Sequence, residues 1–190
     1  MVPAVLVIAL VAALAACETA PVEVAPPTPG PEAPTLPPDT VDVQGVSFAT
    51  AAIEPVGSGD VEGTVSLSRS AGGIRVLMSL TGLTSQDYHA VQILRGRDCD
   101  ADPAIHLGID AGTPHGGPYS SPRFRHAGDL GSIRGDRGRG RYDRIDPVLS
   151  LDGTMSAVGR AVVVRERRDD GASPDGAAGD VIGCGVLEAR

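Results

Sequence analysis

Residues 61–80, VEGTVSLSRSAGGIRVLMSL, decide the fold class of this chain. Apolar or small residues occupy alternate positions over 61–67 and again over 74–80. A period of two is typical of a half-buried β-strand, because successive side chains of a strand point to opposite faces. The pair Gly72-Gly73 between the two runs is typical of a hairpin turn. The segment therefore predicts two consecutive antiparallel strands.

Short runs of the same alternation continue along the chain. The further candidate strands are residues 46–53, 88–95, 147–151, 160–166 and 181–187. No segment shows a long 3.6-residue apolar period, and 25 glycines and 16 prolines are too many for a helix bundle. Three tyrosines, two phenylalanines and no tryptophan leave a core of Val, Leu, Ile and Ala. The pattern predicts an all-β sandwich or barrel.

Residues 97–141 differ from the rest of this domain. They are rich in Gly, Pro, Asp and Arg and show little periodicity. We expect a long irregular loop here, and loops of that length inside a compact domain are usually functional.

The N-terminal part of the chain has the composition of an export signal followed by a tether. Residues 1–16 are almost wholly apolar, too short to span a bilayer comfortably, and end in small residues before Cys17. This arrangement resembles the lipobox of bacterial lipoproteins, which implies cleavage before Cys17 and lipid attachment to its sulfur. An ordinary signal peptide is the alternative. Residues 17–40 would then be the lipidated cysteine and a proline-rich linker, and residues 41–190 the folded domain.

The lipoprotein interpretation predicts a location in the bacterial cell envelope, anchored to a membrane and facing the periplasm or the exterior. The net charge of −8, with all 16 basic residues being arginine, argues against nucleic acid as a partner. Five arginines cluster near the end of the long loop and alternate with Asp136, Asp143 and Asp146, which predicts a solvated mixed-charge loop: Arg134, Arg137, Arg139, Arg141 and Arg144. The sequence does not identify a protein partner and does not exclude a homodimer.

Three histidines and an aspartate in the long loop could hold a metal. They follow the pattern His106-x8-His115-x10-His126-x2-Asp129. Imidazole nitrogens and a carboxylate suit four-coordinate zinc, and the glycines among them would let the loop fold back. Solvated loop histidines are the alternative. An exported domain with two further cysteines, Cys99 and Cys184, is expected to pair them, although two free thiols remain the other reading.

Several segments of the domain resemble the copper/zinc superoxide dismutases. The similarity follows one unbroken order from about residue 60 to 188, in the segments GLT at 82–84, HGGP at 115–118, HAGDLG at 126–131, DPVLSL at 146–151, GRAVVV at 159–164, GAAG at 176–179 and CGV at 184–186. The resemblance implies an eight-stranded antiparallel Greek-key barrel with long loops.

The resemblance also implies a complete zinc site. His106 matches the histidine that bridges copper and zinc in that family, His115 and His126 match the zinc histidines, and Asp129 matches the zinc carboxylate. Cys99 and Cys184 match the intrasubunit disulfide. Asp169 stands where the family keeps an outer-shell aspartate that orients metal-bound histidines, with a solvated loop acid as the alternative.

The copper site, in contrast, is degenerate. Gln92, Leu94 and Arg165 stand where three copper histidines belong, and Val181 replaces the arginine that attracts superoxide. His89 matches a structural histidine. Zinc has no second oxidation state, and copper needs several nitrogen or sulfur ligands. We therefore expect a zinc-binding family member without copper, without catalytic residues and without dismutase activity. The alternative is an active dismutase, converting superoxide to oxygen and hydrogen peroxide, that uses non-standard ligands such as His89 and Gln92.

Overall fold

A computed structural model describes residues 45–108 and 114–190 of the chain. The signal peptide, Cys17 and the proline-rich linker lie outside the described residues, so their assignment stays a prediction. Nine strands and one short 3₁₀ helix make up the described part: β1 Phe48–Pro55, β2 Glu62–Ser70, β3 Gly73–Thr81, β4 Tyr88–Ile93, the 3₁₀ helix Pro122–Phe124, β5 Asp129–Arg134, β6 Arg139–Asp146, β7 Ala161–Arg165, β8 Val181–Val186 and β9 Glu188–Ala189. No helix in this part is long and apolar enough to cross a membrane. The predicted all-β class is confirmed.

The strands form a nearly closed antiparallel barrel. Their hydrogen-bonded order is β5-β4-β7-β8-β1-β2-β3-β6, and β9 adds a short pairing to β1. The hairpin predicted from residues 61–80 is β2 and β3, joined in a regular register in which Val65 lies opposite Met78. The barrel is incomplete only between β5 and β6, which share a tight turn and then diverge. We call this gap between Asp129–Arg134 and Arg139–Asp146 the seam.

The alternation in the sequence places one face of each strand in the core. Strand β3 buries every second residue and exposes or half-exposes the others. A fully buried aliphatic side chain contributes about 1.5–3 kcal/mol relative to an exposed one, so this pattern fixes which face points inward. The central buried side chains of β2 and β3 are Val65, Leu67, Ile74, Val76, Met78 and Leu80.

Two predictions about secondary structure are wrong. The expected loop over 97–141 contains β5 and the start of β6. The five clustered arginines therefore lie on β5, on β6 and on the turn between these strands rather than on a solvated loop. Glycines and charged residues hide the alternation there, because Gly140 takes an inward position without an apolar side chain. The expected strand over 147–151 is an irregular segment with one isolated bridge at Ser150. Asp146 Oδ1 fixes its start by accepting the backbone N–H groups of Val148 and Leu149 at 2.9 and 3.1 Å.

Candidate metal centre

Backbone hydrogen bonds to β4 hold the histidine-bearing loop against the barrel. Leu107 N donates to Ile93 O at 2.8 Å, and Ile93 N donates to Gly128 O at 3.0 Å. Gly128 N in turn donates to Leu107 O at 2.7 Å. Residues 107 and 128 therefore lie beside each other at the end of β4, although 21 positions separate them in the sequence. This closure brings His106 and His126 into the same small volume.

The four predicted zinc ligands converge. Asp129 Oδ1 lies 2.8 Å from His106 Nδ1 and 3.0 Å from His115 Nδ1. Asp129 Oδ2 lies 3.4 Å from His126 Nδ1. One ligand atom from each of the four residues lies within 4.8 Å of every other. Loop closure has thus gathered three imidazoles around one carboxylate, a donor set that zinc prefers.

Burial and an unpartnered atom indicate that this cluster could hold a metal ion. The side chains of His106, His115 and Asp129 have no exposure, and His126 is nearly covered. His126 Nδ1 is buried without a hydrogen-bond partner among the described residues. Buried polar atoms are rarely left unpaired, because desolvation without a new bond costs about 1–3 kcal/mol. A cation between the four side chains would give this nitrogen a partner.

The electrostatics of the cluster match a cation site. Desolvation alone would lower the pKa of His115, but hydrogen bonds to Asp129 and Asp169 outweigh it and raise that pKa to about 9. Desolvation likewise opposes ionisation of Asp129, yet hydrogen bonds from His106 and His115 hold the pKa of this carboxyl far below its usual range. Without a metal, a protonated His115 therefore supplies the positive charge that the buried carboxylate requires.

Asp169 lies behind the cluster and orients one of its histidines. Asp169 Oδ1 accepts hydrogen bonds from His115 Nε2 and from the Gly171 backbone, both at 2.7 Å. The Asp169 backbone N donates to Ser132 Oγ at 3.0 Å. The residue is buried, so the solvated alternative does not hold. Its second carboxylate oxygen is buried without a partner among the described residues.

Arg165 fills the region where the copper ligands would stand. Its Nη1 donates to Gln92 Oε1 at 3.0 Å and to Pro103 O at 3.2 Å. Its Nε donates to Gly179 O at 2.8 Å, and Asp175 lies 3.5 Å from Nη2. The side chain is almost fully buried, and desolvation lowers its pKa from the ordinary value. A guanidinium thus occupies the space beside Gln92 with its donors satisfied.

The remaining copper-side positions are also closed. His106 Nε2, the nitrogen that faces away from Asp129, lies 3.1 Å from Pro103 O. Leu94 packs in a buried apolar cluster with Ala161, Val163 and Cys184. An apolar side chain, a cation and a carbonyl group offer no combination that copper prefers. The residues present do not fit a copper ion.

His89, the remaining histidine, is committed to the backbone. Its Nε2 accepts the N–H of Thr84 at 3.1 Å, and its Nδ1 lies 3.2 Å from Arg165 O. Both ring nitrogens are therefore engaged, which agrees with the structural role that the resemblance implied. Val181, at the place of the superoxide-guiding arginine, packs partly buried against the Leu94 cluster.

A disulfide joins Cys99 to Cys184 across a sequence separation of 85. It ties the beginning of the long loop to β8, one strand away from Arg165 on β7. The disulfide thus fixes the loop seven residues before His106.

Sequence reasoning missed Arg125 as part of this site. Arg125 is 2% exposed and donates from Nη1 to Asp129 O at 2.9 Å, while its Nη2 contacts both oxygens of Asp146. It thus supports the backbone of a candidate ligand. The signal available in the sequence was its position directly before His126, together with Asp146 at the start of DPVLSL.

The fold and this cluster define a Greek-key β-barrel protein with a candidate metal centre in a long loop. The sequence profile of the family described as copper/zinc superoxide dismutase matches residues 61–187. The chain belongs to the copper/zinc superoxide dismutase family, whose members bind copper and zinc.

Individual relatives support this family assignment. The chain is 32% identical over 140 residues to a superoxide dismutase [Cu-Zn] of Paramecium bursaria Chlorella virus 1, covering 68% of this chain and 73% of the relative. It is 30% identical to a superoxide dismutase [Cu-Zn] of Deinococcus radiodurans, over 70% of this chain and 80% of the relative. Among solved structures, the clock protein EA4 matches with a TM-score of 0.66 and 27% identity, over 76% of this chain and 96% of that one.

Proposed function

We propose that this protein binds one zinc ion through His106, His115, His126 and Asp129 and does not dismutate superoxide. The guanidinium of Arg165, hydrogen-bonded to Gln92 and Pro103 at the former copper position, is the observation that carries the proposal. A permanent buried cation there opposes the entry of a second metal ion by charge and by volume.

The zinc ion would act on the fold rather than on a substrate. Four protein ligands close its coordination shell, which is typical of structural zinc, whereas catalytic zinc keeps an open position for water. Zinc would unite the loop segments around residues 106, 115 and 126 with the start of β5. Its binding free energy would then contribute to the free energy of folding.

Metal analysis and an activity assay on the same preparation test this proposal. Protein purified without added metal should contain about one zinc and no copper per chain. His115→Ala should lose the zinc, whereas Asp170→Asn should keep it, because the Asp170 carboxylate is occupied by Ser173 and by loop amides. Equal zinc contents in the two variants would reject the assignment of the ligands.

Copper loading separates the proposal from the alternative of an active dismutase. We expect no stoichiometric copper uptake and no superoxide decay faster than with free copper. A protein-bound copper ion with activity that a chelator abolishes would establish the alternative instead.

We also propose that Cys17 carries a lipid that anchors the chain to a bacterial envelope membrane. The support is the apolar run of residues 1–16 directly before this cysteine. Expression in a bacterial host with a radiolabelled fatty acid should label the chain and place it in the membrane fraction. Cys17→Ala should abolish both effects; labelling that persists in this variant would overturn the proposal.

A further inference from the structure

A pocket lies close to the candidate metal cluster, where β5 and β6 diverge. It has a volume of about 300 Å³ and opens between the seam, the turn at 117–119 and the loop at 168–171. This volume is at the lower end of the range for small-molecule sites. Its walls are polar and apolar in equal measure, and the aromatic and aliphatic part comes from Tyr88, Pro118, Tyr119, Leu130 and Tyr142.

Two guanidinium groups flank this pocket. Arg144 Cζ lies 4.3 Å from the ring centroid of Tyr119, and Arg168 Cζ lies 5.5 Å from the ring centroid of Tyr88. The aromatic faces hold both cations by cation–π attraction and limit their rotation. Each arginine is therefore kept beside the pocket at little further entropic cost.

Neither arginine is neutralised by a carboxylate in the described part of the chain. Arg144 Nη2 donates to the carbonyl oxygen of Pro118, while its Nη1 is buried without a hydrogen-bond partner among the described residues. The two acids that line the pocket contact other groups, and of their carboxylate oxygens only Asp169 Oδ2 lacks a hydrogen-bond partner among the described residues. Asp169 binds His115 and Gly171, and Asp170 binds Ser173 and the amide of Ala172.

We infer that this pocket binds an oxyanion, a carboxylate or phosphate group, between Arg144 and Arg168. A guanidinium presents a planar fork of donors that matches the two oxygens of such a group. An oxyanion would supply acceptors to the donors of Arg144, and the tyrosine and proline walls would cover an apolar body attached to it. The inference is independent of zinc and of the fate of superoxide, since none of the four zinc ligands lines the pocket.

Calorimetric titration of the full chain as purified tests the inference, with inorganic phosphate and benzoate as probes. At least one probe should bind saturably. Arg144→Met and Arg168→Met should each weaken that binding about tenfold or more, because each removes a charge-assisted hydrogen bond. Arg141→Met is the matched control, since it removes the same charge from β6 at an exposed position outside the pocket and should leave the affinity unchanged.

The two probes distinguish the sources of the anion. Comparable affinities would assign the pocket to an inorganic anion, while tighter binding of benzoate would assign it to an organic carboxylate whose body contacts the tyrosines. Arg168 is exposed, so its variant reports on binding even if Arg144→Met fails to fold. Absence of saturable binding by both probes, an unchanged affinity in Arg168→Met, or an equal loss in Arg141→Met would overturn the inference.

Discussion

Arg125 and Asp146 form a fully buried ion pair across the far end of the seam. Arg125 Nη2 lies 2.5 and 2.6 Å from the two carboxylate oxygens of Asp146, and each side chain is 1% exposed. Asp146 also accepts two backbone amides, and Arg125 also donates to the carbonyl of Asp129. The pair therefore connects the loop that carries the candidate metal ligands, the start of β5 and the end of β6.

Breaking this pair should destabilise the protein strongly. Arg125→Met leaves the Asp146 carboxylate buried without its counter-ion, and we expect the free energy of unfolding to fall by about 3–5 kcal/mol. Arg75→Met is the control, because it removes an arginine from the exposed Arg75–Asp143 pair and should change little. Urea denaturation of both variants measures the difference; similar losses would show that burial does not set the strength of the Arg125 pair.

Zinc binding should release protons at neutral pH. The pKa of His115 is raised to about 9 in the metal-free protein, so this imidazole is protonated at pH 7.5, whereas a zinc ligand must be neutral. We expect about one proton to be released per zinc ion from this residue, and the apparent zinc affinity to rise with pH until about pH 9. Calorimetry in two buffers of different ionisation enthalpy counts the protons.

The variant Asp169→Asn supplies the control for this proton count. It removes one of the two carboxylates that raise the pKa of His115, so fewer protons should be released at the same pH. A proton count that stays near zero in the parent protein would contradict the assigned charge of His115.

The disulfide should stabilise the domain substantially. It closes a long loop, with a sequence separation of 85, and loss of such a bond typically costs about 2–5 kcal/mol. The double variant Cys99→Ser/Cys184→Ser should unfold at correspondingly lower urea. In the parent chain with Cys17 lipidated, unfolded without reductant, no cysteine should react with a thiol reagent, and two reactive thiols would disprove the bond.

Restoring histidines should rebuild a copper site. Gln92→His, Leu94→His and Arg165→His together remove the buried guanidinium and place three imidazoles beside His106, so the triple variant should take up copper. Val181 remains in place of the guiding arginine, which limits electrostatic capture of superoxide and hence activity. Arg165→His alone is the control and should not bind copper tightly. Failure of the triple variant to take up copper while it stays folded would show that the barrel has lost the family's copper geometry.

Strands whose two faces differ in polarity could be predicted from the sequence, and the other strands could not. Alternation in 61–80 predicted β2 and β3 because each inward position there carries an aliphatic side chain or a glycine. Strand β6 was missed because its inward positions hold Gly140 and Tyr142 among arginines and aspartates. The irregular segment after Asp146 was mistaken for a strand, since apolar residues 148, 149 and 151 gave no sign of the carboxylate that accepts the 148 and 149 amides.

The candidate site shows the same division. Residue types and the family resemblance named His106, His115, His126 and Asp129, and the structure brings them together. Arg165 fills the copper region by hydrogen bonds to partners 14 and 73 positions away, and Arg125 supports Asp129 while it pairs with Asp146, 21 positions away. No local sequence pattern predicts such contacts.

The seam has a consequence for self-association. An unprotected strand edge offers unpaired backbone groups with which another chain can pair. Here the carbonyl of Leu130 is taken by the Tyr142 hydroxyl at 2.8 Å, and that of Asp129 by Arg125, so two side chains cap the edge without a backbone ladder. Tyr142→Phe, which deletes one cap and little else, should form larger particles in light scattering than the parent chain at equal concentration. In that case the hydroxyl group of Tyr142 would keep this barrel from polymerising, a role that backbone pairing between strands has elsewhere in the sheet.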